Sequence, residues 1–155
     1  MENKSHSFLL EWTISFIKNK DIISKRIEKI ERGKYGFDLY VKYKDREHYF
    51  IIAPKIVDIG PIIQKINDKS YFSLVTLNSR ENFDVILKNW KRFIDFKFFS
   101  IIFTNPFSEL DKKWVVFPHT HHKISDESAL ENGLKSMFQT VEPIGEQQLA
   151  AKITS

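Results

Sequence analysis

The sequence predicts a mixed α/β sandwich, and three features carry that prediction. Residues 36–44 (GFDLYVKYK) alternate apolar and polar side chains with the two-residue period of a half-buried strand. Residues 98–103 (FFSIIF) and 114–117 (WVVF) are short apolar runs of the kind buried strands show. Between these segments, Phe83, Ile86, Leu87, Trp90, Phe93 and Ile94 keep a three-four spacing that a helix gathers onto one side.

Taken in order, residues 7–19 (SFLLEWTISFIKN) set Phe8, Trp12 and Phe16 four apart with Leu9, Thr13 and Ile17 beside them, which predicts a helix with one broad apolar face. Residues 22–31 mix isoleucine with charge and read as a partly exposed strand, and Gly33 and Gly36 bracket a turn. In residues 36–44, Phe37, Leu39, Val41 and Tyr43 face one way, and Asp38, Tyr40, Lys42 and Lys44 the other. Lys44-Asp45-Arg46-Glu47 supplies a tight polar turn into residues 48–56 (HYFIIAPKI), the second strand of a hairpin. Pro54 has no amide hydrogen to give a sheet, so this strand ends or turns outward there, with Lys55 at its end. Residues 57–70 contain Gly60-Pro61 and are irregular apart from one helical turn over 62–66, and residues 71–77 are extended.

Asn78 or Ser79 caps the helix that runs through Ile94, Asn105-Pro106 is a loop, and Ser125 or Asp126 caps a last helix through Leu130, Leu134, Met137 and Phe138. The chain reads as one domain over residues 1–142, with a tail at 143–155 that has little to bury and is expected to fray. The order of elements lets the middle helix cross between parallel strands.

Composition removes several functions. Cysteine is absent from the 155 residues, which excludes disulfides, zinc–thiolate sites and thiol catalysis. No segment approaches the roughly 18 to 20 consecutive apolar residues of a membrane helix. The N-terminus carries no basic region leading to a cleavage site, so the expected setting is the cytoplasm, away from membranes. Walker-type loops, GxGxxG, GxSxG and HExxH are missing, which disfavours nucleotide binding, serine hydrolysis and metalloprotease chemistry.

The formal net charge is +4, but it is uneven. Residues 18–46 hold ten basic and five acidic side chains, a local +5, and the rest of the chain sums to −1. Lys25, Arg26, Lys34, Lys42 and Arg46 are candidate phosphate contacts within this stretch, and Tyr40 is a candidate ring for stacking on a base, alongside Tyr35 and Tyr43. Acids interleave throughout, so a solvated mixed-charge surface stands beside nucleic-acid binding as a reading.

Three residues and the order of elements resemble the PD-(D/E)xK, or restriction-endonuclease-like, nuclease superfamily, over roughly residues 7–120. Glu11 lies on the first helix, Asp38 on the first hairpin strand and Lys55 at the end of the second, and Asp38 precedes Ala53 by 15 residues. The resemblance implies a three-layer α/β/α sandwich with a central mixed sheet. It also implies a magnesium-dependent nuclease in which Asp38 holds the metal, Lys55 orients the attacking water and Glu11 assists. Magnesium takes carboxylate oxygens, so the family pairs its Asp with an acid two residues before the lysine. This chain has Ala53 there, and Phe37 where many members have proline. Asp58 and Glu81 are the acids placed to substitute as ligands, with Asp84 beside Glu81 on the same helix.

Two further readings stay open. A catalytically inactive relative would keep the fold as an interaction or assembly module, with the apolar surfaces near Phe96, Phe98 and Phe107 serving a homodimer. Separately, His119 and His121 in PHTHHK would share one face if the preceding strand continues through them, and two imidazoles at that spacing suit zinc or nickel.

Overall fold

The computed structural model describes residues 3–109 and 111–154. Helix α1 (Lys4–Lys20) begins at Asn3, whose side-chain oxygen accepts from the amides of Ser5 (3.0 Å) and His6 (3.2 Å), satisfying two of the helix's unpaired donors. Its buried residues are Ser5, Leu9, Thr13, Ile14 and Ile17. The broad apolar face is thus centred on its Leu9, Thr13 and Ile17 side, with Phe8, Trp12 and Phe16 at its margin. Those larger rings cover the seam, Trp12 stacked on Phe16 and Phe8 on Phe107, each at 5.4 Å.

Strand β1 (Ile27–Arg32) starts later than the sequence suggests. Ile22 and Ile23 lie instead in a turn, 65% and 93% exposed. Asp21 closes that turn by accepting from the amides of Arg26 (2.8 Å) and Ile27 (3.0 Å). Strands β2 (Leu39–Tyr43) and β3 (Glu47–Ile52) form the expected hairpin, with Lys42 opposite Glu47 and Leu39 opposite Phe50. The β3 ladder stops before Pro54, as a residue without an amide hydrogen requires.

The alternation breaks at Phe37, which joins Tyr49 and Phe72 on the face opposite Leu39 and Val41. The cause is local: Tyr35 (φ +57°) and Gly36 (φ +78°) are left-handed, and the chain enters β2 already rotated.

Helix α2 (Gly60–Lys65) joins β3 to β4 (Tyr71–Leu77). Helix α3 (Arg80–Lys88), capped by Ser79, then leads to β5 (Phe99–Thr104). It ends short of Ile94 because Asn89 leaves helical geometry, and one tight turn over Trp90–Arg92 follows. Strand β6 (Lys113–Val116) is followed directly by α4 (Pro118–Ile124), so the strand does not continue through the histidines as a shared face for His119 and His121 would need. Pro118 explains the change, being unable to donate to a ladder yet well suited to a first helical turn. Helix α5 (Glu127–Gln139) begins at Asp126. The tail also departs from expectation: α6 (Glu146–Thr154) is packed, with Ile144 2% and Leu149 0% exposed.

The six strands form one sheet in the order β1-β2-β3-β4-β5-β6. The β3/β4 and β4/β5 pairs are parallel and the other three pairs antiparallel. One face buries Leu74, Phe99, Ile101 and Phe103 under residues of α2, α3 and α5, and the other buries Val41, Phe50, Val75 and Ile102 under α1 and α6. The chain is therefore α/β, a mixed sheet flanked by helices on both faces. Among the described residues no helix is long and apolar enough to cross a membrane.

Buried asparagines tie the carboxyl ends of the parallel strands together. Asn78 accepts from Trp114 Nε1 (2.7 Å) and donates to the carbonyls of Phe138 (3.2 Å) and Val141 (2.9 Å). Asn82 accepts from the Ile56 amide (2.9 Å) and donates to the carbonyls of Pro54 (2.8 Å) and Leu77 (3.0 Å). The carboxyl end of β3, where Lys55 emerges, is thus fixed from two sides.

Candidate functional site

Asp38 stands at the entry to β2, beside the carboxyl end of β3. Its Oδ2 accepts from the Ile52 amide at 2.7 Å, and its Oδ1 lies 2.9 Å from His6 Nε2 on α1. Both side chains are about one-third exposed, 31% for Asp38 and 33% for His6. Its carboxylate is turned toward α1.

Lys55 is exposed two residues beyond Ala53. It lines an open crevice of about 650 Å³ with Arg80 and Glu81 at the start of α3 and with Pro143, Glu146 and Gln148 near α6. This crevice lies beyond the carboxyl ends of parallel strands, where α/β sheets commonly bind ligands. Of the expected metal ligands only Glu81 reaches it; Asp38 is not among its lining residues. Asp58 instead accepts from the Gly60 amide (3.0 Å) at the start of α2. Glu11 pairs with Arg32 at the surface.

Ala53 itself packs against the α2, α3 and α5 side of the sheet. Asp38, Asp58 and Glu81 each serve a different neighbourhood, and among the described residues no group of three or more His, Asp or Glu is placed to hold a metal ion. Magnesium asks for converging oxygens, and the residues present do not fit it.

The basic stretch is partly neutralised within itself. Arg26 pairs with Asp45 (2.8 Å), Lys29 and Lys34 with Glu31 (2.6 and 2.7 Å), Lys42 with Glu28 (3.5 Å), and Arg32 with Glu11. Tyr40 is corrected as a base-stacking candidate: it is 3% exposed and donates to Glu47 at 2.8 Å. Burial, with Glu47 nearby, holds its phenol well above the ordinary range. Lys34 lies over its ring at 4.4 Å and over Tyr35 at 5.0 Å. The remaining cations of the stretch, Lys18, Lys20, Lys25, Lys44 and Arg46, make no ion pair among the described residues. They belong to the last turn of α1, the turn after it and the β2–β3 turn. Arg46 is held over Tyr43 (5.1 Å) and Tyr71 (4.8 Å).

Close by, the His48 ring stacks on Phe50 at 4.2 Å and bonds to Ser73 Oγ at 2.8 Å, which in turn lies 2.6 Å from Ser100 Oγ. Burial, reinforced by Arg46 and Lys20, lowers its pKa to about 3 and keeps it neutral. Neither this polar row nor the asparagine ties were anticipated. The available signals were a serine inside each of two apolar strands and a pair of asparagines, Asn78 and Asn82, around the junction of β4 with α3.

The histidine metal site is also corrected. On α4, two residues apart, His119 and His121 diverge. His119 Nδ1 bonds to the Ile94 carbonyl (2.7 Å), His121 Nδ1 accepts from the Phe117 amide (3.0 Å), and His122 Nδ1 accepts from Trp90 Nε1 (3.2 Å). The apolar dimer surface is split as well. Phe96 packs into the core, and Phe98 and Phe107 flank the two ends of β5, roughly 20 Å apart along a six-residue strand.

Comparison of the chain with models of known families, with curated proteins and with solved structures finds no match in any of the three.

Proposed function

We propose that this chain is a nucleic-acid-binding protein of restriction-endonuclease-like fold whose metal site is incomplete, so that it holds the phosphate backbone without cutting it. The observation that carries the reading is the placement of the five cations that make no ion pair among the described residues, all at one end of the sheet around the end of α1 and the β2–β3 turn. Clustered Lys and Arg give salt-dependent, sequence-independent affinity for phosphates.

The fold assignment is supported by a helix, a β hairpin and parallel strands in the family's order, with Asp38 and Lys55 toward the carboxyl end of β3. The absence of cleavage is supported by Ala53, and by an Asp38 carboxylate already engaged by Ile52 and His6.

Filter binding to a mixed-sequence DNA at rising salt tests the binding half. Affinity is expected to fall steeply, with a log–log slope of about −0.7 to −0.9 for each phosphate contacted; a flat, weak response would overturn it. Plasmid nicking with magnesium or manganese tests the other half. Wild type and Lys55→Ala are expected to match the buffer background, and metal-dependent nicking that Lys55→Ala abolishes would show a working nuclease.

A further inference from the structure

We infer that the rings of Tyr43, Tyr71 and Phe98, bridged by Arg46, form a stacking platform for the unpaired bases of a single-stranded nucleic acid; this rests on the nucleic-acid-binding reading and names where and what it binds. The platform lies at the end of the sheet away from Asp38 and Lys55. Four adjacent strands contribute to it in turn: Tyr43 closes β2, His48 lies near the start of β3, Tyr71 opens β4, and Phe98 immediately precedes β5. Their rings run as one row, Tyr43 to His48 at 6.5 Å, His48 to Tyr71 at 6.0 Å and Tyr71 to Phe98 at 4.7 Å.

The register builds the row. His48 pairs directly with Tyr71 across the parallel β3/β4 ladder, and the Phe72 amide donates to the Phe98 carbonyl at 3.1 Å. His48 is fixed from beneath by Ser73 and stays neutral, so the middle of the row carries no charge. Phe98 is 41% exposed, which is unusual for a phenylalanine that precedes a fully buried strand.

Arg46 separates this surface from an ordinary apolar patch. Its guanidinium carbon lies 5.1 Å from the Tyr43 ring centre and 4.8 Å from that of Tyr71, and among the described residues it makes no ion pair. A planar, permanently charged group held this way keeps its edge donors for a phosphate. Lys20, Lys44 and Lys97 are exposed at the same end. The nearby acids are occupied or peripheral: Asp45 pairs with Arg26, Asp21 closes its own turn, and Asp68 and Asp95 are exposed on the loops leading to Tyr71 and Phe98. An exposed Phe98 beside the part-exposed, Arg46-covered rings of Tyr43 and Tyr71, with cations around them, suits a strand whose bases are free to unstack and to stack on ring or guanidinium alike; in a duplex the base faces are covered by neighbouring pairs.

Fluorescence anisotropy with a labelled 15-nucleotide single strand and the matching duplex tests the proposal, using wild type, Phe98→Ala and the charge-retaining Arg46→Lys. Wild type is expected to bind the single strand more tightly than the duplex, and each variant to lose about tenfold on the single strand. Circular dichroism and thermal melts establish that the variants fold. Single-strand binding unchanged in both folded variants, or no preference over duplex, would overturn the platform while leaving the general binding reading intact. Wild type that binds neither probe overturns both, as does sedimentation with phosphatidylserine vesicles without oligonucleotide binding.

Discussion

Asp38 and His6 join the entry of β2 to the first turns of α1, with Asp38 Oδ1 2.9 Å from His6 Nε2 while Oδ2 accepts from the Ile52 amide at 2.7 Å. The Asp38 carboxylate therefore works as a structural acceptor that ties a helix to two strands. Asp38→Ala should leave the Ile52 amide without its partner and cost about 1–2 kcal/mol in urea unfolding. Asp38→Asn keeps an acceptor oxygen and should cost clearly less. Equal losses for both variants would mean that the charge, and not the Ile52 bond, is what matters at this position.

His48 gives a pH dependence whose sign is fixed by its burial. Its folded pKa is lowered to about 3, whereas an unfolded histidine titrates near 6.5. Above pH 6.5 both states are neutral and His48 adds no slope. Between about 6.5 and 3 the unfolded chain takes up the proton first, so stability falls as the pH falls, by up to about 1.4 kcal/mol per pH unit. His48→Gln keeps a polar partner for Ser73 but cannot titrate. Urea midpoints measured between pH 7 and 4 should fall less steeply for His48→Gln than for wild type, and parallel slopes would refute the assignment.

The legible parts of this fold were those where side-chain period and local chemistry agree. The hairpin of β2 and β3, the apolar strands β4 to β6 and the caps at Ser79 and Asp126 were all readable, because alternation, apolar runs and capping side chains act within a few residues. The broad apolar face of α1 was readable too, and what the period alone does not tell is which part of it is deepest: Leu9, Thr13 and Ile17 are buried, while Phe8, Trp12 and Phe16 lie partly buried at its margin. Pro118 opens α4 directly after β6, so the condition that would have brought His119 and His121 together, a strand continuing through them, is not met. The candidate site was least legible, since it depends on long-range partners. Nothing local to Asp38 reveals His6, 32 residues away, or the Ile52 amide. Similarly, Arg26, Lys34 and Lys42 cannot be told from Lys44 and Arg46 in sequence, yet the first three form ion pairs and the last two form none among the described residues.

Asn82 is the residue on which the crevice around Lys55 depends most. It is 2% exposed and its amide group bonds to Ile56, Pro54 and Leu77. Asn82→Ala strands the Ile56 amide and the Pro54 carbonyl and takes one of two donors from the Leu77 carbonyl, which still accepts from the Ser79 amide at 2.8 Å, and should cost about 2–3 kcal/mol. Asn82→Asp keeps the acceptor for Ile56 but sets a charge against two carbonyl oxygens, and should be no better. Chemical denaturation of both variants checks this; a loss under about 0.5 kcal/mol for Asn82→Ala would mean that water or rearrangement replaces all three bonds.

Placing an acid at position 53 is the sharpest way to test the proposed incomplete metal site, by asking whether an alanine alone separates this chain from magnesium. Ala53 packs against the α2, α3 and α5 side of the sheet, whereas the Asp38 carboxylate is turned toward α1. A glutamate at position 53 would therefore enter an apolar neighbourhood on the far side of the strand from its intended partner. Ala53→Glu should lower stability by about 1–3 kcal/mol, and millimolar magnesium should not raise its thermal midpoint, because a ligand stabilises only what it binds. Manganese, which takes the same oxygen ligands, should behave alike. A metal-dependent rise in melting temperature in Ala53→Glu, absent from wild type, would show that Asp38 can leave His6 and Ile52 to complete a carboxylate pair.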